Sequence, residues 1–220
     1  MSYFIFNDIR SDDMGIIVEN IPPIIKPPGR YNLIEVDGND NTRVELLGYK
    51  AYEKPIPIGL KDTDINRVLD WLGGAGKLIL SNELDKYYDA FILEQIDYER
   101  ALRFRKATVN FLVQPYKHAT GEEETESRML INQGNVDCLP LMTIYGSGAA
   151  DVLINGIKAC SVTISEYITL DSEEQEAYKG LIMQNRVMVG NFPRFAPGEN
   201  ELSFTGNVTN VKTLVRSRWR

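Results

Sequence analysis

The 220-residue chain carries 31 Asp+Glu against 24 Lys+Arg, a net charge of −7, with one histidine and two cysteines. Its 43% hydrophobic and 25% charged residues are those of a folded globular protein, which excludes disorder as the global state. The acidic balance argues against a nucleic-acid grip, and one His with two isolated Cys cannot close a tetrahedral zinc site. Cys138 and Cys160 make no disulfide framework, the opening turns acidic by Asp8, and no apolar run approaches the ~18 residues of a membrane span. The expectation is a protein made in the cytosol, with no membrane partner.

Short runs rich in Ile, Val, Tyr, Phe and Thr predict strands at 3–6, 32–36, 43–49, 78–80, 87–98, 107–113, 139–145, 158–164 and 208–215. The one helical period falls at 62–72, where Ile65, Val68, Leu69 and Leu72 share a face. Asp62 or Thr63 would cap its start, and Gly73 or Gly74 its end. The glycine run 73–76 follows this helix rather than opening one, so it is expected to be a cap and turn, not a phosphate cradle. Strand 87–98 is apolar on both faces and should be covered on both sides. Leu102 and Phe104 lie on one parity, Val109, Phe111 and Val113 on the other, which predicts a bulge at 105–107. The acidic, unanchored stretch 118–128 is expected to be a linker or exposed loop between domains at 1–117 and 129–220. Asn155-Gly156 between apolar runs is the strongest hairpin signal, because both turn positions need positive φ. Residues 172–178 suit a single helical turn or a strand flank.

Groups able to do chemistry are few. His118, the lone histidine, is expected at the surface or in the linker, and both cysteines as small buried hydrophobes. Asp97 and Glu99 would share a strand face, but spacing alone does not make a carboxylate pair catalytic. No catalytic, cofactor-binding or metal-ligating residue is assigned, and no cofactor is expected. The basic tail Arg216–Arg220 suits an edge or interface contact. The segment 21–29 reads as a rigid proline connector whose Ile24 and Ile25 call for cover from a neighbouring subunit.

Several stretches in order resemble the siphophage distal tail protein (Dit) family. They are the opening 4–18 with its Ser-acidic turn and Gly15, Leu69-Asp-Trp-Leu72, Lys77–Ser81, and the paired tyrosines of 85–90. Ala107–Phe111 and Gln114–Lys117 resemble the close of the family's first domain; Tyr145-Gly146, Leu153–Gly156, Ile168–Asp171, Phe192-Pro193, Pro197–Asn200 and Thr205-Gly206 continue the likeness. Glu35–Asn41 departs from the family's usual hairpin tip. The resemblance implies a mainly β fold, a split-barrel-like N-terminal domain with one helix and a galectin-like C-terminal β-sandwich. It implies a non-enzymatic virion protein, assembled in the host cytoplasm, whose homo-hexameric ring joins the tail tube to the tail-tip or baseplate device. Partners would be the tail-tube protein, the tail-associated fibre or lysin protein, and receptor-binding or adhesion proteins for host adsorption. DNA would only pass through the lumen. Six copies at −7 carry −42, a ring to which DNA would not adhere. The alternatives are another tail-tube or baseplate ring component, and a galectin-type carbohydrate-binding module using Tyr167 and Tyr178.

Overall fold

The computed structural model describes residues 2–35, 37–38, 40–61, 64–93 and 105–220. Among the described residues the chain is mainly β with one α-helix, and it divides into two compact units, Met1–Thr120 with Arg220, and Gly121–Trp219.

The first unit runs β1 (Phe4–Phe6), β2 (Ile9–Arg10), a 3-10 turn, β3 (Ile16–Val18), β4 (Gly29–Ile34), β5 (Arg43–Tyr49), β6 (Tyr52–Leu60), α1 (Ile65–Trp71), β7 (Gly74–Leu80), β8 (Glu83–Ile92) and β9 (Lys106–Ala119). Seven strands of this unit make one curled antiparallel sheet in the order β2-β1-β7-β8-β9-β6-β3, leaving β4 and β5 as a separate ribbon. Alternation drives it: Lys54, Ile56, Ile58 and Leu60 of β6 and Ala107, Val109, Phe111 and Val113 of β9 are buried, their neighbours less so. Helix α1 docks through Trp71, which stacks on Phe4 and donates from Nε1 to the Phe6 carbonyl at 2.9 Å. Phe111 meets Phe4 and Phe6 edge-on, so four rings close this core.

Several expectations shift here. Asp64 caps the helix, accepting from the Asn66 amide; Asp62 and Thr63 lie outside the described residues. Gly74–Lys77 is strand, not turn, paired with β8. Asn7 folds over Gly76, bonding the backbone of Ala75 and Lys77, so a Cβ at this position would displace the Asn7 side chain. Arg105 is left-handed (φ 54), but the marked irregularity lies further along β9. Tyr88 pairs with Lys117 and Ala90 with Val113, so Gln114–Tyr116 bulges around Pro115, which has no N–H to give. Strand β6 escapes sequence reading because of Pro55 and Pro57. The Pro57 carbonyl accepts from Glu19, so these prolines face away from β9 and break no bond with it.

The second unit holds β10 (Met129–Asn132), β11 (Leu141–Ile154), β12 (Ile157–Asp171), β13 (Glu176–Lys179), β14 (Ile182–Met183), β15 (Met188–Gly190), β16 (Gly198–Phe204) and β17 (Asn207–Leu214). The order is β10-β16-β11-β12-β13-β14, with β15 beside β12 and β17 beside β11. Strands β11 and β12 form one long hairpin around Asn155 and Gly156, both at positive φ as the sequence requires. The strand expected at 139–145 runs on through Gly146-Ser147-Gly148 as part of β11, with its pairing to β17 shifting between Tyr145 and Gly146. Gly146 lies too close to the Asn207 carbonyl for any side chain, and Glu166 opposite it is left-handed. Residues 172–175 form a turn leading into β13. The acidic stretch is held down at two points: Thr125 bridges Thr213, and the Glu122 carboxylate accepts the Ser217 amide.

Candidate interaction surface

The β4–β5 ribbon is the feature least explained by the chain's own packing. Its register sets Tyr31 opposite Leu46 and Leu33 opposite Val44, so these four side chains share one face. The other face carries Asn32 opposite Glu45 and Ile34 opposite Arg43. The apolar face is uncovered: Tyr31 is 57% exposed, Leu33 62%, Val44 58% and Leu46 51%. A two-stranded ribbon is marginal in water without cover for its hydrophobic face. Ile24 and Ile25 in the preceding connector are exposed as well, while Ile21 packs against the core.

That connector is tied down by an unusual residue. Lys54 is 1% exposed on β6, and its Nζ donates to the Pro23 carbonyl at 3.1 Å. It sits 5.0 Å from the Tyr88 ring centre and 5.5 Å from that of Tyr52. Burial pulls its ammonium down to about 8, with Glu83 opposing and Lys117 adding to the shift. Glu83 itself bonds Lys117 at 2.7 Å and accepts the Tyr88 hydroxyl at 3.5 Å. Burial, with the Tyr52 and Glu83 charges nearby, pushes the Tyr88 phenol far up. The cluster anchors the root of the ribbon with charged groups that nothing in the sequence pattern singles out. A lysine on the apolar parity of a strand was the available signal.

The residues weighed for chemistry are dispersed. His118 lies in β9 rather than at the surface or in a linker, 8% exposed, stacked on Tyr87 with Nε2 3.5 Å from Asp89. It is buried because β9 continues past Pro115 to Ala119. Cys138 and Cys160 are buried in the second core, and burial pushes their thiols up to about 12 and about 11. Asp97 and Glu99 lie outside the described residues. Tyr167 is half-buried, tilted against Tyr145 with Lys179 above it, and Tyr178 is half-buried on β13, so the two form no exposed platform. The tail's Arg216 is spent on a fork with Asp171, at 2.7 and 3.0 Å. Among the described residues no group of three His, Cys, Asp or Glu is placed to hold a metal, and no helix is long and apolar enough to cross a membrane.

A curled β unit with a helix, followed by a unit built on one long hairpin, is a fold shared with a solved phage Dit protein. The crystal structure of SPP1 Dit (gp 19.1), described as a paradigm of the hub adsorption apparatus in phages infecting Gram-positive hosts, matches with a TM-score of 0.70. The match covers 97% of this chain and 98% of that one, at 15% sequence identity. No family model matches the sequence, and comparison with curated proteins finds no match.

Proposed function

We propose that the chain is a subunit of a phage tail hub: six copies close a ring that joins the tail tube to the tip device, without enzymatic activity. The observation that carries this is a fold shared with a Dit protein over nearly the full length of both chains. The ribbon supports it. A ring needs each subunit to offer one surface to the next, and a second copy is the occupant that the uncovered face of Tyr31, Leu33, Val44 and Leu46 suits. The N-terminal domain builds the ring, and the galectin-like C-terminal sandwich presents docking surfaces to adhesion proteins at the virion's tail tip.

The test is native mass in solution, by light scattering or native mass spectrometry. The intact chain is expected as a hexamer, or as two stacked rings. The paired change Leu33→Ser with Leu46→Ser is expected to give monomers of unchanged strand content, since both side chains are already in water in the single subunit. A strict monomer in the presence of tail-tube and tip proteins would sink the proposal.

A further inference from the structure

Residues 22–26 of the proline connector are fastened at both ends and held lightly in between. On one side the Glu19 amide donates to the Pro57 carbonyl at 3.1 Å, and Ile21 packs against the core. On the other, Pro27 is buried and the Pro28 carbonyl accepts the Lys50 amide at 2.9 Å. Between these points the one hydrogen bond among the described residues runs from Lys54 Nζ to the Pro23 carbonyl. Pro22 and Pro23 have no N–H with which to add another. A cavity of about 240 Å³ opens between connector and strand, walled by Pro22, Pro23 and Ile25 on one side and by Lys54, Pro55 and Pro57 of β6 on the other. Atoms that face such a void forgo the contacts that would otherwise hold them.

The charge at that single fastening is poorly housed. Lys54 is 1% exposed, and no carboxylate among the described residues comes within ion-pair distance of its Nζ. The groups facing it are Tyr52 on β6, Glu83 and Tyr88 on β8, and Lys117 on β9. Glu83 is already bonded to Lys117 at 2.7 Å. The connector brings the Pro23 carbonyl, and its one charged residue, Lys26, is exposed. The carbonyl and the two rings favour the ammonium, but burial outweighs them.

We infer that residues 22–26 are a proton-sensitive strap, which lifts from β6 when Lys54 is charged and lies shut over the neutral amine. Under the closed strap the ammonium is pulled down to about 8; lifting returns it to water and toward its ordinary 10.5. The lifted state thus holds its proton more tightly, so proton uptake favours lifting. Below about pH 8 both states are charged and the strap is at its loosest; from there toward pH 10.5 it closes progressively. The strap leads into β4, so its lifting loosens the root of the ribbon while β6 and β9 stay paired. It acts within one subunit, and its failure would leave the hub reading untouched.

Electron paramagnetic resonance of a spin label on Ile24→Cys tests it in the intact chain. Ile24 is exposed, and Cys138 and Cys160 are buried out of the label's reach. The ratio of mobile to immobile label is expected to be level below about pH 8 and to fall about threefold to tenfold per pH unit from there to pH 10. Tyr52 and Tyr88 do not interfere, because burial raises both phenols. With Lys54→Met added, the ratio is expected to be level throughout. The same label on Leu181→Cys, at an exposed turn of the second unit, should ignore pH. The inference fails if the Ile24 ratio is level from pH 7 to 10 or rises with pH, if Lys54→Met follows the same curve, or if Leu181 changes as much as Ile24. The series with Lys54 in place decides by itself, so a variant that failed to fold would not shield the inference.

Discussion

At the scale of single residues, the informative groups are those whose environment contradicts their type. Lys54 is a cation inside an apolar core, and its titration can be read out. Its folded value is about 8 against an ordinary 10.5, so between those values the unfolded chain holds more protons and stability rises with pH. The expected gain is on the order of 2 kcal/mol, since each tenfold change in proton affinity is worth about 1.4 kcal/mol. Above the ordinary tyrosine value the raised Tyr52 and Tyr88 phenols act the other way, because the unfolded chain then loses protons that the folded one keeps. Urea unfolding of the wild type and Lys54→Met across this window checks it. The wild type should gain on the variant from about pH 8 to pH 10, and parallel curves would show that Lys54 does not titrate there. Cys138 and Cys160 make a simpler case. Their thiols are buried and pushed up, so a thiol reagent at mildly alkaline pH should label neither in the folded chain and both after denaturation. Their apolar sequence context already implied burial. For Lys54 the one signal is its parity with Ile56, Ile58 and Leu60, which stays hidden while Pro55 and Pro57 keep the segment from reading as a strand.

At the scale of elements, local chemistry was legible and pairing was not. The α1 period and the Asn155-Gly156 turn depend on neighbours in sequence, and the structure has both, with β5 also at its expected limits. Strand β6 was hidden because a proline counts against a strand unless its missing N–H faces outward, a fact about the neighbour rather than the residue. The breadth of β11 and β12 was hidden for a related reason. The strand expected at 139–145 runs on because Gly146, with no side chain, lets it pass close to Asn207. The ribbon face could not be seen because its register, slipped between Arg30 and Tyr31, decides which side chains share it. The end of β12 carries a charged clasp. The Arg216 fork and the Glu173 and Glu174 amides hold Asp171 below the usual carboxylate value even though burial alone would raise it. Its contribution is therefore full above the ordinary carboxylate value near 4 and lost as pH falls below it. Arg216→Gln should lower the stability of the second unit by roughly 2 kcal/mol at neutral pH, because it leaves a mostly buried carboxylate unpaired. The deficit should shrink on acidification below pH 4, as the unfolded carboxylate takes up its proton; a deficit that persists unchanged would assign the loss to packing instead.

At the scale of the whole molecule, charge and apolar surface pull assembly in opposite directions, and salt separates them. Every subunit carries −7, so closing six into the proposed ring would bring −42 together, and self-repulsion would oppose it. The face offered by Tyr31, Leu33, Val44 and Leu46 is apolar, and its burial is indifferent to screening at ordinary ionic strength. Salt shortens the reach of the repulsion from about 10 Å at 0.1 M to about 3 Å at 1 M. If the ribbon drives association, the hexamer should tighten as salt is raised, with dilution midpoints moving to lower protein concentration. If matched charges between subunits drive it instead, as Arg43 and Glu45 on the opposite ribbon face would require, the same series should loosen the ring. Sedimentation velocity at two salt concentrations, with Leu33→Ser/Leu46→Ser as the control that should stay monomeric in both, decides between them. The first outcome would also bear on the acidity itself, which would then oppose the proposed assembly rather than drive it.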